Sequence, residues 1–154
     1  MKLTQRIGGL EKKNIIGDAS EDPENHDQMV RLRASKIAAI AQDFPATNID
    51  GDVAAELLVI SWGATFGAIK SAINLLQTDG YKIAHIHLRY LNPLPNDLEL
   101  LIKKFKQVVA IETNLGQLTQ ILRAKYLIDI KLISRVTGRQ FTTSELKISL
   151  KEFL

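Results

Sequence analysis

The sequence contains no cysteine. That excludes disulfides, thiolate zinc sites, a cysteine nucleophile and any iron–sulfur cluster ligated from within the chain. Long apolar runs are missing too. Stretches such as residues 57–60 (LLVI) fall far short of the roughly 20 residues that span a bilayer. The opening Met1-Lys2-Leu3-Thr4-Gln5-Arg6 lacks the apolar centre of a signal peptide. Together these point to a soluble, cytoplasmic chain without a membrane partner. Aromatic residues make up only 6% and form no basic, aromatic-studded stretch, so nucleic acid is not an expected partner either.

What is present is an ordinary globular composition, 45% hydrophobic and 24% charged over 154 residues. That length suits one domain with an added arm, able to bury about 68–70% of its unfolded surface without staples. The formal charge of +3 hides an asymmetry: residues 101–154 carry ten Lys/Arg against four Asp/Glu, whereas residues 1–100 carry ten against thirteen. The basic last third is read as solvated helix surface, with steering of an acidic or phosphate-bearing partner as the other reading.

The chain divides near residue 50, into an arm over 1–48 and a domain over 49–154. The arm begins without a sustained period, and residues 18–27 hold five acids with Pro23, a polar loop. Asp22-Pro23 is a sound helix start, because proline at the first helical position lacks only an amide that would be unpaired anyway. Met29, Leu32, Ile37 and Ile40 recur at helical spacing towards Phe44, and Pro45 ends the helix. Its apolar stripe needs a surface to dock on, in the following domain or another chain.

From residue 56 the pattern alternates. Strands are expected over 56–61, 81–88, 107–112 and 128–134, and helices over 66–78, 96–105 and 117–127, with a last one opening at Thr142. Asn96 with Glu99, and Thr142 with Glu145, have the spacing of capping boxes. Four strand–helix repeats imply an α/β fold, with right-handed crossovers and a mainly parallel sheet between helical layers.

Three stretches carry candidate chemistry at the carboxyl ends of strands, where open α/β sheets place ligands. Gly63-x-x-x-Gly67 follows the first strand but matches neither a dinucleotide fingerprint nor a P-loop, so tight strand–helix packing is preferred over nucleotide binding. His85-x-His87-x-Arg89 alternates onto one face of the second strand. Two such histidines lack a third metal ligand nearby, which favours a structural or contact role. Glu112-Thr113-Asn114-Leu115-Gly116-Gln117 joins the third strand to a helix. Glu112 has no nucleophile or second acid paired with it, so an interface role is preferred over general-base work.

Read together, Gly9-Leu10-Glu11, DPENH (22–26), Arg31-Leu32-Arg33-Ala34-x-Lys36, WGATFGAI (62–69), AHIHLRYLNPLP (84–95), ETNLGQL (112–118) and VTGRQF (136–141) resemble the carboxyl-terminal region of the alpha subunit of 2-oxoacid:ferredoxin oxidoreductases, most closely the 2-oxoglutarate type. Leu88-Arg89…Asn92-Pro93 and Ile111-Glu112 also look like segments of transketolase carboxyl-terminal domains. The resemblance implies a three-layer α/β/α sandwich with a mixed, mostly parallel five-stranded sheet, its fifth strand an antiparallel edge. It implies a parent complex using thiamine diphosphate, Mg, iron–sulfur clusters and coenzyme A, with none of these bound by this chain. It further implies a fragment that is noncatalytic and inactive alone, helping to assemble the remaining alpha-subunit domains, the beta subunit and, through the complex, ferredoxin. His85, His87, Arg89, Asn92, Glu112, Asn114 and Gln117 are the candidate contacts between domains or subunits. Two other readings stand beside this one: a free-standing module binding coenzyme A or a nucleotide at the Gly63–Gly67 loop, and a small enzyme using Glu112 and His87 as an acid–base pair.

Overall fold

A computed structural model describes residues 10–154; Gly8 and Gly9 lie outside the described residues. The chain forms two compact units, dividing after Phe44.

In the first unit, β1 (Glu11–Lys12) pairs antiparallel with β2 (Ala19–Ser20) across a short turn that the sequence reads as irregular. Helix α1 (Pro23–Ala39) follows, with Asp22 as its N-cap: the carboxylate accepts the Glu24 amide at 3.1 Å, and Pro23 opens the first turn. A turn of 3₁₀ helix over Ile40–Asp43 completes the stretch. Side chains tie helix to hairpin. Arg33 donates to both Glu11 oxygens at 3.0 and 2.7 Å, and Asn25 donates to the Lys12 carbonyl at 2.9 Å. The Arg33 bonds hold the Glu11 carboxyl down at about 2. Of the apolar stripe, Leu32, Ile37 and Ile40 are exposed and Met29 is half-buried.

The second unit, Pro45–Leu154, is built on a five-stranded sheet. Its elements in chain order are β3 (Asp50–Gly51), β4 (Leu57–Trp62), α2 (Phe66–Thr78), β5 (Ile83–Leu88), α3 (Leu98–Ile102), β6 (Gln107–Glu112), α4 (Gln117–Tyr126), β7 (Ile130–Ser134) and α5 (Thr143–Lys151). The strand order is β3-β5-β4-β6-β7, with β3 antiparallel to β5 and every other pair parallel. The expected mixed α/β sandwich with an antiparallel edge strand is what forms. β3, two residues long, is too short for periodicity to reveal.

Helix α2 spans the expected residues. It closes with the Tyr81 amide bonded to the Leu76 carbonyl and the Gly80 amide to the Gln77 carbonyl, both at 3.0 Å. That pattern satisfies two terminal carbonyls and delays β5 until Ile83. The capping box of α5 is present in full: Thr142 accepts the Glu145 amide, and Glu145 accepts the Thr142 amide at 2.8 Å. Arg135 adds a two-pronged bond to Glu145 at 2.9 and 2.7 Å and lies 4.5 Å from the centre of the Phe141 ring. The expected box at Asn96 does not form. Helix α3 is short, its N-cap is Asp97, and the Asp97 carboxylate turns away to accept the Thr47 amide at 2.7 Å and hydroxyl at 2.5 Å. That carboxylate is thus used by a residue fifty positions away and does not cap its own helix.

Strand alternation sorts the core into two layers. Leu58, Ile60, Ala84, Ile86, Val108 and Ala110 pack with Leu98, Leu118 and Leu122 on one face. Leu57, Val59, Ile83, Val109 and Ile111 pack with Ile69, Ile73, Leu146 and Leu150 on the other. Central strands β4 and β6 are buried on both faces, which is why they read as continuous apolar runs.

Candidate functional site

Ser61, near the end of β4, is the one hydroxyl in an otherwise apolar run, and the sheet register sets it beside His87 of β5. In parallel strands, partners and their second neighbours share a face, so Ser61, His85 and His87 converge. The Ser61 Oγ lies 2.7 Å from His85 Nε2 and 2.8 Å from His87 Nδ1. Ser61 is fully buried, His85 is 1% exposed and His87 is half-buried. Burial and the neighbouring His87 push the His85 pKa down to about 4. Burial and the Arg89 charge lower His87 as well. At neutral pH the three form a neutral chain of hydrogen bonds.

Around them opens a cleft of about 680 Å³, lined by Thr47, Asp50, Phe66, Lys70, His87 and Arg89 among others. Lys70 pairs with Asp50 on one wall. The Phe66 ring, 46% exposed, stands 4.8 Å from the His87 ring centre and 6.1 Å from that of His85. The Thr47–Asp97 bonds pin the 45–50 segment that forms the rim.

The glycines of 63–67 do not serve tight packing. A Cβ at Gly63 or Gly67 would meet nothing within 4 Å. Gly63 is required instead by its φ of +63°, which turns the chain from β4 towards α2.

Glu112 ends β6 on the opposite face of the sheet, among Leu118 and Thr119 rather than beside the histidines. It is 0% exposed and accepts hydrogen bonds from the Leu118 amide at 2.9 Å, the Thr119 amide at 2.8 Å and the Thr119 hydroxyl at 2.6 Å, with the Asn114 side chain bonded to it as well. The carboxylate thus satisfies the unpaired amides at the start of α4 from a neighbouring strand. Burial pushes its pKa up, but the bonds from Thr119, Leu118 and Asn114 outweigh it and leave the group below its usual value. An acid–base pair of Glu112 with His87 is ruled out, because the sheet lies between them. Asn114 Oδ1 accepts the Gly116 amide at 2.7 Å and the Gln117 amide at 3.0 Å, folding the turn that leads into α4. Gly116 is required by its φ of +89°, and a Cβ there would also press on the Leu132 side chain.

The seven residues singled out from the sequence therefore separate into two groups. His85, His87 and Arg89 gather at the cleft, with Asn92 exposed in the loop beyond β5, before a cis bond to Pro93. Glu112, Asn114 and Gln117 build the β6–α4 junction, with only Gln117 fully at the surface. The buried side chains of Glu112 and His85 make their contacts within this domain. Sequence reasoning missed Ser61, Thr119 and the Asp50–Lys70 pair. A lone hydroxyl at the end of the apolar ELLVIS run was the available signal for Ser61.

For the groups implied by resemblance, the fit is testable on residues. An iron–sulfur cluster finds no cysteine ligand in the chain. Among the described residues, no three His, Cys, Asp or Glu side chains converge as a metal site. The donor sets present therefore fit neither a cluster nor a chelated metal ion. Among the described residues, no helix is long and apolar enough to cross a membrane.

Known proteins share this fold and much of this sequence. Residues 55–146 match the family model for pyruvate:ferredoxin oxidoreductase core domain II. Subunit KorA of the 2-oxoglutarate oxidoreductase of Mycobacterium tuberculosis is 48% identical over 94% of this chain, which spans 22% of that relative's length. The solved 2-oxoglutarate:ferredoxin oxidoreductase of Magnetococcus marinus, with 2-oxoglutarate, coenzyme A and succinyl-CoA bound, superposes with a TM-score of 0.84 at 26% identity, over 92% of this chain and 25% of that one. A split-gene transketolase, an inactive beta4 tetramer, shares the fold at a TM-score of 0.53 and 15% identity, over 71% of this chain and 42% of that one. The chain belongs to the pyruvate:ferredoxin oxidoreductase core domain II family.

Proposed function

We propose that this chain serves as the noncatalytic domain II of the alpha subunit of a cytoplasmic 2-oxoglutarate:ferredoxin oxidoreductase. In that role it helps to join the remaining alpha-subunit domains to the beta subunit. The observation that carries the reading is the 48% identity across nearly the whole chain to a segment that is only 22% of its relative. The chemistry of the site supports it. Glu112 is engaged by the start of α4, Ser61 is buried against two neutral histidines, and no nucleophile is aligned with a base in an accessible position among the described residues. Thiamine diphosphate, Mg, iron–sulfur clusters and coenzyme A belong in this reading to the other parts of the complex. There, thiamine diphosphate would supply the carbanion chemistry of 2-oxoacid decarboxylation. His87, Arg89, Asn92, Asn114 and Gln117 would meet neighbouring domains, His85 and Glu112 would hold those contacts from below, and the 1–48 arm would link the domain to the rest of the subunit. The free-standing coenzyme A or nucleotide module is not favoured.

Two measurements test this. The purified chain, supplied with 2-oxoglutarate, coenzyme A, thiamine diphosphate and an electron acceptor, is expected to show no turnover. Substituted for the matching segment of the Mycobacterium tuberculosis subunit, it is expected to restore co-purification with the beta subunit and turnover. Activity of the chain alone overturns the proposal, as does a folded chimera that fails to assemble.

A further inference from the structure

The cleft at the carboxyl ends of β4 and β5 has an open polar end that the hydrogen-bond chain beneath it does not use. His87 contacts Ser61 through Nδ1, so Nε2 is its other polar atom. Among the described residues Nε2 has no hydrogen-bond partner, and no buried side-chain nitrogen or oxygen lacks one. Nε2 is therefore an accessible atom of a cleft-lining residue. Arg89 lines the same cleft, is exposed, and makes no ion pair among the described residues. Its charge is near enough to disfavour protonation of His87. The other two full charges in the lining, Lys70 and Asp50, neutralise one another. The cleft is left with one uncompensated positive charge, beside the exposed Phe66 ring that also lines it.

Ser61 adds an adjustable element. Its single hydroxyl proton can be donated to only one of the two histidines, and the other must donate to it. When Ser61 donates to His85 Nε2, neutral His87 carries its proton on Nδ1 and presents a bare Nε2. When Ser61 donates to His87 Nδ1, His85 donates to Ser61 and His87 presents an N–H. The cleft-facing nitrogen is thus an acceptor in one arrangement and a donor in the other; passing from the first to the second, His85 Nδ1 releases a proton and His87 Nε2 takes one up from solvent, with no heavy atom moved.

We propose that this cleft binds a carboxylate, held between the Arg89 guanidinium and the His87 Nε2–H, with its apolar part against Phe66. A monoanion matches the single surplus charge, and the planar guanidinium can meet both carboxylate oxygens. A phosphate dianion would leave excess negative charge beside Asp50. The volume lies within the range of small-molecule sites of about 300–1,000 Å³. It admits either a small free acid or the side chain of an Asp or Glu from a neighbouring chain.

The experiment follows the His85 and His87 ring signals by NMR in the 154-residue chain at low ionic strength. Propionate is titrated in one arm and an acetylated Gly-Glu-Gly amide in another, with chloride as the ionic-strength control. Expected are saturable shifts of the His87 signals at millimolar propionate or peptide, and a rise in the His87 pKa as the bound anion offsets Arg89, against the fixed surroundings of His85, Lys70 and Asp50. Arg89→Gln is expected to weaken binding at least tenfold, Arg89→Lys less, and the remote Lys104→Gln not at all. Tighter propionate identifies a free acid as the ligand, and tighter peptide a neighbouring chain. Unmoved His87 signals in both arms overturn the proposal, as do shifts that chloride reproduces or that persist unchanged in a folded Arg89→Gln.

Discussion

Two polar clusters lie at the carboxyl end of the same sheet, on opposite faces, and they are built in opposite ways. At the β6–α4 junction, the charged Glu112 is fully enclosed and its carboxylate is met by the first turn of α4 and by Asn114 of the turn before it. At the β4–β5 cleft, Ser61, His85 and His87 stay neutral and leave one nitrogen open beside Arg89. A buried charge must be met by donors, and once met it ties elements together. A neutral relay costs less to bury and can leave an end free for another molecule. The first cluster is structure in a place where ligands often sit; the second has the accessible edge a ligand needs.

The most severe test of this contrast is Glu112→Ala. It leaves two amides and a hydroxyl without an acceptor in a closed interior, and a loss of about 3–4 kcal/mol is expected, read from the urea midpoint. A loss below about 1 kcal/mol would mean that water reaches the junction and that the two clusters are alike.

Next in size is the pH dependence of the histidine chain. The folded His85 pKa is about 4, against 6.5 when the chain is free. Between those values the unfolded state binds the extra proton, so stability falls as pH drops from about 6.5 to about 4, then levels off for this group. The full span corresponds to about 3 kcal/mol at about 1.36 kcal/mol per unit. Denaturation midpoints at neutral pH and near pH 4.5, in the native chain and in His85→Gln, check it. The variant should show a shallower slope in that window, and an unchanged slope would place the proton elsewhere.

The smallest effect is expected at the open edge. Arg89 is exposed and makes no ion pair among the described residues, so Arg89→Gln should change stability by no more than about 0.5 kcal/mol. A larger loss would show that the cleft is held by Arg89 and is not an available surface.

Much of the fold was legible where the signals are local. Helix α2 and strand β6 appear over the expected residues because an apolar period and a two-sided apolar run are each contained in the segment itself. The Asp22 cap and the Thr142–Glu145 box are equally local, donor and acceptor lying within three residues. The candidate site was legible only in part. His85, His87, Arg89 and Glu112 stand out as polar residues at strand ends, but nothing in their spacing separates them into opposite faces. At the start of α3, likewise, the Asp97 bond to Thr47, fifty residues away, is a pairing that local spacing does not reveal.

By itself, then, the sequence determined the alternation of strands and helices, the capped helix starts, the absence of thiolate chemistry and the motif blocks that mark the family. Each is a property of neighbouring residues or of composition. Tertiary structure alone decided the strand order, the two-residue edge strand, the enclosure of Glu112 by α4 and the meeting of Ser61 with two histidines. These depend on register between strands far apart in the chain, and a shift of one residue would turn every such side chain to the other face.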